Sequence, residues 1–396
     1  MPELSAAAVA ELCDRLVLAP RETTHGAAPV SPSAAQHASS SSAWETSCVP
    51  ALLALLRSEG AELWLDRRIR ESGRPAPDAL TAALRERVKK LTVSNMRIDE
   101  QTTRIAQLLS SVSLPWALIK GQARRAAATL YPYANGRTIS DVDLLVPADS
   151  ARASWDLLCA NGFSRLYEDS PWIVADHHLP VICDAQGVAV ELHTTTMLTV
   201  PPHEAWRRAT EQSVAISWNG LDVRVPSATE LVWQALAGGA ADGIRGFELR
   251  AFLSLASVLA IHPVIDWDTI EQRITSGEVR DLEVDRVVSR ERILRYLDIA
   301  ARFAAFDLDR RFRPARPANI RALLSWRARI HAMSPPRAVA ERLLEEGLRV
   351  EAAMELTPGH RLASRWKNGR RRSTSFVART IYTTWRSVLA AGPVAP

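Results

Sequence analysis

The chain has 396 residues, of which 47% are hydrophobic and 23% charged, with 17 glycines, 23 prolines and 4 cysteines. Those proportions exclude a wholly disordered, collagen-like or disulfide-scaffold polypeptide, and the length suits two or three domains. The net charge of +5 is localised. From His360 to Pro396 there are eight basic residues and no acid, which leaves the first 359 residues at −3. The basic pI of 9.3 therefore belongs to the tail and is no nucleic-acid footprint of the body.

No run of about 18 apolar residues occurs, so no transmembrane helix is expected. Met1 to Pro20 carries Glu3, Glu11 and Asp14 and lacks the basic start and apolar core of a secretory signal. Cys13, Cys48, Cys159 and Cys183 are scattered without a CxxC pair. They read as reduced thiols of a cytoplasmic protein, neither a zinc site nor a disulfide framework.

Residues 1–47 are expected to hold an N-terminal helix and a flexible linker, the latter from the Ala-, Ser- and Pro-rich stretch 22–47. A helical region, 48–113, follows with two apolar patterns. One covers Pro50 to Ile69; the other starts after Pro77 and runs to Ser110. The character changes at Leu114. Pro115 to Ile119 reads as a buried strand feeding a Lys120-Gly121 turn, and Ala123 to Tyr131 as a helix. Thr138 to Val146 is a strand, Ser150 to Ala160 a helix. His178–Cys183 and Val188–His193 form a hairpin around Asp184–Gly187, and Val214–Ser217 and Leu221–Val225 a second around Trp218-Asn219-Gly220. Residues 114–226 are thus an α+β module with a small mixed sheet. From 227 to 357 the pattern is helical. Ser227-Ala-Thr-Glu230 opens it as a capping box, and helices are predicted over 227–238, 245–260, 267–276, 281–306, 317–332 and 335–353. Residues 358–396 are a basic tail with an amphipathic helix near 375–390.

One constellation carries chemistry. Residues i and i+2 of a strand share a face, so Asp141 and Asp143 present two carboxylates side by side. Glu191, in the strand-like Val188-Ala-Val-Glu-Leu-His193, supplies a third if the strands are neighbours. Three clustered carboxylates invite a hard cation, and Mg²⁺ or Mn²⁺ fits because it binds through carboxylates and substrate phosphates. Acid-x-acid triplets recur at Asp266/Asp268, Asp281/Glu283, Glu283/Asp285 and Asp307/Asp309. Those lie in helical or helix-start contexts, where i and i+2 point apart. Only Asp141/Asp143 runs into an apolar strand, Leu144-Leu-Val146.

Ala117-Leu-Ile-Lys-Gly121, Leu130-Tyr-Pro132, Arg137 with Asp141-Val-Asp-Leu-Leu-Val146, Asn161-Gly-Phe163 and Val190-Glu-Leu-His193 together resemble the DNA polymerase β-type nucleotidyltransferase superfamily. More narrowly they resemble its branch of uncharacterised bacterial nucleotidyltransferases. The likeness is dense over about residues 114–200. It implies an α+β fold: a small mixed-sheet nucleotidyltransferase core flanked by N- and C-terminal helical regions. It also implies metal binding and catalysis by Asp141, Asp143 and Glu191, and nucleotide binding by Lys120, Gly121 and Arg137. A nucleoside monophosphate would pass from a nucleoside triphosphate, ATP first among candidates, to an acceptor hydroxyl, releasing pyrophosphate. The branch often carries a His in the helix after the core and an Asp in the next helix. The corresponding stretches here, Gln234–Ala240 and the one around Ser254, have neither.

Blander readings stand beside these. Lys120 would equally suit a solvated strand end, and Arg137 an ion-pair partner of the aspartates. His193, on the same strand face as Glu191, is either a catalytic or orienting group or a structural one; His177 and His178 lean structural. Asp266-Trp267-Asp268 is most simply a helix start with Asp266 as N-cap. The tail helix could dock on the body, lie peripherally on an anionic membrane or touch RNA. Basic residues are not interleaved with aromatics near the predicted strands, which argues against a nucleic-acid partner. The alternative for the whole is a catalytically inactive nucleotide- or partner-binding protein of the same fold.

Overall fold

The computed structural model describes residues 4–17, 46–72, 75–127, 139–166, 178–197, 199–241, 249–260, 263–281 and 286–332. Arg137, His177, most of the linker, the helix predicted over 335–353 and the whole basic tail lie outside these residues. Among the described residues no helix is long and apolar enough to cross a membrane.

The architecture is mixed α+β, a small five-stranded sheet among twelve helices of the described residues. The N-terminal part is helical: α1 (Ala6–Leu16), α2 (Val49–Glu59), α3 (Glu62–Ser72) and the 34-residue α4 (Asp78–Ser111). The single helix predicted over 50–69 is in fact two. Gly60 takes the left-handed conformation (φ +62°) and its N–H caps α2, so the chain turns there although apolar periodicity continues across the break.

The sheet has strand order β1 (Ala117–Leu118), β2 (Asp141–Leu145), β5 (Ala189–His193), β4 (Ile182–Cys183), β3 (Ser164–Arg165). Only β2 and β5 are parallel; the other pairings are antiparallel. Helix α5 (Lys120–Ala126) follows β1, and α6 (Ala151–Ala160) follows β2. Val142, Leu144, Val190, Leu192 and Ile182 project from one face into the main core, on which α4 and α6 pack. That burial is the driving term, at roughly 1.5–3 kcal/mol per fully buried aliphatic side chain. The predicted hairpin turn at Asp184–Gly187 is built as an Asx turn, the Asp184 carboxylate accepting from the N–H groups of Gln186 and Val188. Its first strand is shorter than predicted, since His178 makes only an isolated bridge to His193.

Helix α7 (Pro202–Glu211) was not anticipated; it opens on Pro202 behind Pro201 as N-cap. The second hairpin, β6 (Val214–Trp218) and β7 (Leu221–Val225), turns through Asn219 (φ +48°) and Gly220 (φ +76°), the primed geometry the Asn-Gly pair favours. The C-terminal part holds α8 (Ala228–Ala241), α9 (Leu249–Leu259), α10 (Trp267–Thr275), a minor hairpin of β8 (Arg280–Asp281) with β9 (Arg286–Val287), α11 (Arg290–Ala304) and α12 (Ile320–Ala332). Two local expectations need correction. The capping box at Ser227 is half made: its hydroxyl accepts from the Glu230 N–H at 3.3 Å, but the Glu230 carboxylate is drawn to Arg273 at 2.7 Å, an ion pair stronger than a return bond to the cap. The helix predicted from 281 begins only at Arg290, where Ser289 caps it. Asp266 is the N-cap expected, accepting from the Asp268 and Thr269 N–H groups.

Helix α12 returns to the N-terminal helices. The Glu59 carboxylate, fully buried, accepts from Arg327 (Nε 2.6 Å) and from the Leu249 N–H (2.8 Å), tying α2, α9 and α12 together.

Candidate active site

The face of β2 and β5 opposite the main core carries the polar residues. Parallel pairing sets Asp143 directly beside Glu191 and Leu145 beside His193, so Asp141, Asp143, Glu191 and His193 all project to one side. At the lower end of this face Leu145 packs with Ile119 and with Ala209 and Trp206 of α7, a small apolar floor separate from the main core. The polar cluster sits above it.

Asp143 is the centre. Its Oδ1 lies 2.8 Å from the Lys120 Nζ and 2.9 Å from the His193 Nε2. Glu191 Oε2 is 3.2 Å from the same histidine nitrogen and 3.9 Å from the lysine. Asp143, Glu191 and His193 offer ligand atoms within 4.8 Å of one another, close enough to share one metal ion. Asp141 starts the strand, half-buried and within electrostatic reach of Lys120, but stands outside that tight group.

Electrostatics follow from this packing. Burial pushes the Asp143 carboxyl up, but the Lys120 ammonium and His193 outweigh it and hold the group far below the usual carboxylate range. Glu191 behaves alike: burial raises it, the His193 hydrogen bond and Lys120 lower it, and the net direction is down. Burial works against the Lys120 ammonium, while Asp143 and Glu191 favour it; its pKa ends raised. Both carboxylates are therefore ionised and the lysine charged at neutral pH. His193 Nε2 either donates to the carboxylates or accepts from Lys120, two proton placements within one heavy-atom geometry.

The phosphate-turn expectation needs amending. Lys120 and Gly121 open α5 instead of forming a separate turn, because the strand stops at Leu118 and the helix starts at once. The left-handed residue is Lys120 (φ +50°), which costs a Cβ-bearing residue about 1–2 kcal/mol. Gly121 has ordinary helical φ, and a Cβ there would meet Ile139 only at 3.6–3.7 Å. The fold does not require a glycine at that position.

Sequence reasoning thus brings Asp141, Asp143, Glu191, Lys120, Gly121 and His193 to one region, with Arg137 outside the described residues. His193, left open between an orienting and a structural role, touches both carboxylates and the lysine; its i+2 spacing from Glu191 was the available signal. His178 stands beside it, ring centroids 5.3 Å apart and edge-on, its Nδ1–H donating to the Leu179 carbonyl at 2.7 Å. The α7 floor left no signal in the pattern.

A family described as uncharacterised nucleotidyltransferase matches residues 47–284, more than half the chain. Among solved structures, an antigenic nucleotidyltransferase-like protein from Paracoccidioides brasiliensis is similar at 18% identity over 46% of this chain and 91% of that chain, with a TM-score of 0.28; at that score the likeness bears no weight for the site. No curated protein matches.

Proposed function

The chain belongs to this nucleotidyltransferase family, and from that premise we propose that it moves a nucleoside monophosphate from a nucleoside triphosphate, ATP first among candidates, to an acceptor hydroxyl. The acceptor oxygen bonds to the α-phosphorus, the bond to the bridging oxygen breaks, and pyrophosphate leaves; the hydroxyl proton passes to a carboxylate or to solvent. The register that sets Asp143 beside Glu191 on one sheet face is the observation that carries this reading.

The donor set suits Mg²⁺ or Mn²⁺, with hard carboxylate oxygens converging on one face and a cation, the Lys120 ammonium, already seated against them. Asp143 and Glu191 would hold the ion, with Asp141 at the rim and His193 orienting both carboxylates. When bound, such an ion neutralises charge on the phosphates and sharpens the acceptor as a nucleophile. The chain's own part is positioning and electrostatics. Lys120 and Arg137 would supply positive charge to the triphosphate, Gly121 would let it approach the backbone of α5, and the Leu145–Ile119–Ala209 floor keeps water from beneath the carboxylates.

Transfer is tested by incubating the protein, a divalent metal and each α-labelled nucleoside triphosphate with a cytosolic extract, and following the label. Wild type should label an acceptor, while Asp143→Asn, with its melting temperature checked, should do so about 10²–10³-fold more slowly, the loss of several kcal/mol of charge stabilisation. Thermal stabilisation by nucleotide without metal, with no label moved, would favour the inactive binding protein.

A further inference from the structure

One ammonium group touches every member of the metal-capable cluster. Lys120 Nζ lies 2.8 Å from Asp143 Oδ1, 3.1 Å from His193 Nε2 and 3.9 Å from Glu191 Oε2. The residue reaches this place from a left-handed backbone (φ +50°) that lysine rarely adopts and glycine adopts freely. Asp143 is almost fully buried, so its charge needs a partner in the folded protein. The lysine side chain is 37% exposed, on a flexible four-carbon stem with a way out to solvent. A divalent ion against the same Asp143 oxygen would face the ammonium as a like charge at close range.

We infer that Lys120 is a resident counter-ion: it holds the carboxylate pair when no metal is bound, competes with a free divalent ion, and moves to the triphosphate when metal and nucleotide arrive together. Metal alone then binds weakly, and metal and nucleotide bind synergistically, because the nucleotide gives the displaced ammonium a second anion to pair with. The nucleotide half of this rests on the function proposed above. The metal half rests only on the cluster.

The test compares Mn²⁺ binding by wild type, Lys120→Met and Lys120→Gly, read from the electron paramagnetic resonance of the free ion, first alone and then with a non-hydrolysable nucleoside triphosphate analogue. Lys120→Gly suits the backbone conformation and guards against loss of the fold. Without nucleotide, both variants are expected to bind Mn²⁺ at least about tenfold more tightly than wild type. Asp143→Asn in each background should abolish the binding, which places the ion in this cluster. With the analogue, wild-type affinity for Mn²⁺ should rise, and rise less in the variants. Unchanged or weaker Mn²⁺ binding in both lysine variants overturns the counter-ion. Tighter binding in the variants together with no effect of the analogue on wild type keeps the metal competition, and overturns the nucleotide half along with the reading of the site as a nucleotidyltransferase centre.

Discussion

Two carboxylate–cation pairs in this molecule have opposite characters. Glu59 and Arg327 are 0% and 2% exposed, and the carboxylate also takes the backbone N–H of Leu249. Asp143 and Lys120 share a similarly close contact, but the lysine is 37% exposed and its partner oxygen is shared with His193. A planar guanidinium in a closed pocket gives a fixed joint between distant parts of the chain, whereas an ammonium on a flexible stem gives a pair that can be exchanged. Burial of the cation, more than the distance, separates a structural pair from an adaptable one.

The sharpest break of that contrast is Glu59→Ala. It leaves Arg327 buried without its carboxylate and should cost about 3–5 kcal/mol in urea unfolding, with much of it recovered in Glu59→Ala/Arg327→Met. Asp143→Asn should cost less, because the half-exposed Lys120 can turn to solvent and no charge is left buried without a partner; an equal loss would erase the distinction. Gly121→Ala is expected to leave stability unchanged or raise it by about 0.5–1 kcal/mol, since the added methyl makes ordinary contact with Ile139 within a helix. A fall in nucleotide affinity in that stable variant would assign the glycine to ligand approach. A surface cluster of three residues sets the lower bound. Hydrogen bonds from Arg207 and Arg208 pull the Glu204 carboxyl down to about 2. A depressed carboxyl stabilises above its unfolded value near 4.5 and loses that contribution as pH falls toward 2. Wild type should therefore lose melting temperature slightly faster than Glu204→Gln between pH 5 and 2, and added salt at pH 5 should narrow the gap.

The site was legible to the extent that it is local. Alternation in Asp141–Leu145 and Ala189–His193 gives both strands and the shared face of their polar residues, and Asp184–Gly187 and Asn219-Gly220 give the β4–β5 and β6–β7 turns. What escaped is set by partners far along the chain. The Lys120 ammonium is placed by residues 23 and 73 positions away, and Glu230 abandons its capping role for Arg273, 43 positions on. The break at Gly60 interrupts a helical pattern that stays apolar on both sides, so periodicity alone could not find it. Strand β3 is two residues long, too short for any alternation to register, and β1 and β4 are shorter than the strands expected over 115–119 and 178–183.

The pairing of Asp143 with Glu191 has one more implication. The aliphatic residues that interleave with these acids point the other way, into the main core, so the same alternation that hides Val142 and Val190 sets the acids on the opposite face of the sheet. Losing or gaining a single codon within either segment would swap the two sets, sending charge inward and grease outward. The polar cluster is thus hostage to spacing: side-chain exchanges can be absorbed one at a time, but a frame-preserving indel in either strand should dismantle the sheet and the cluster together.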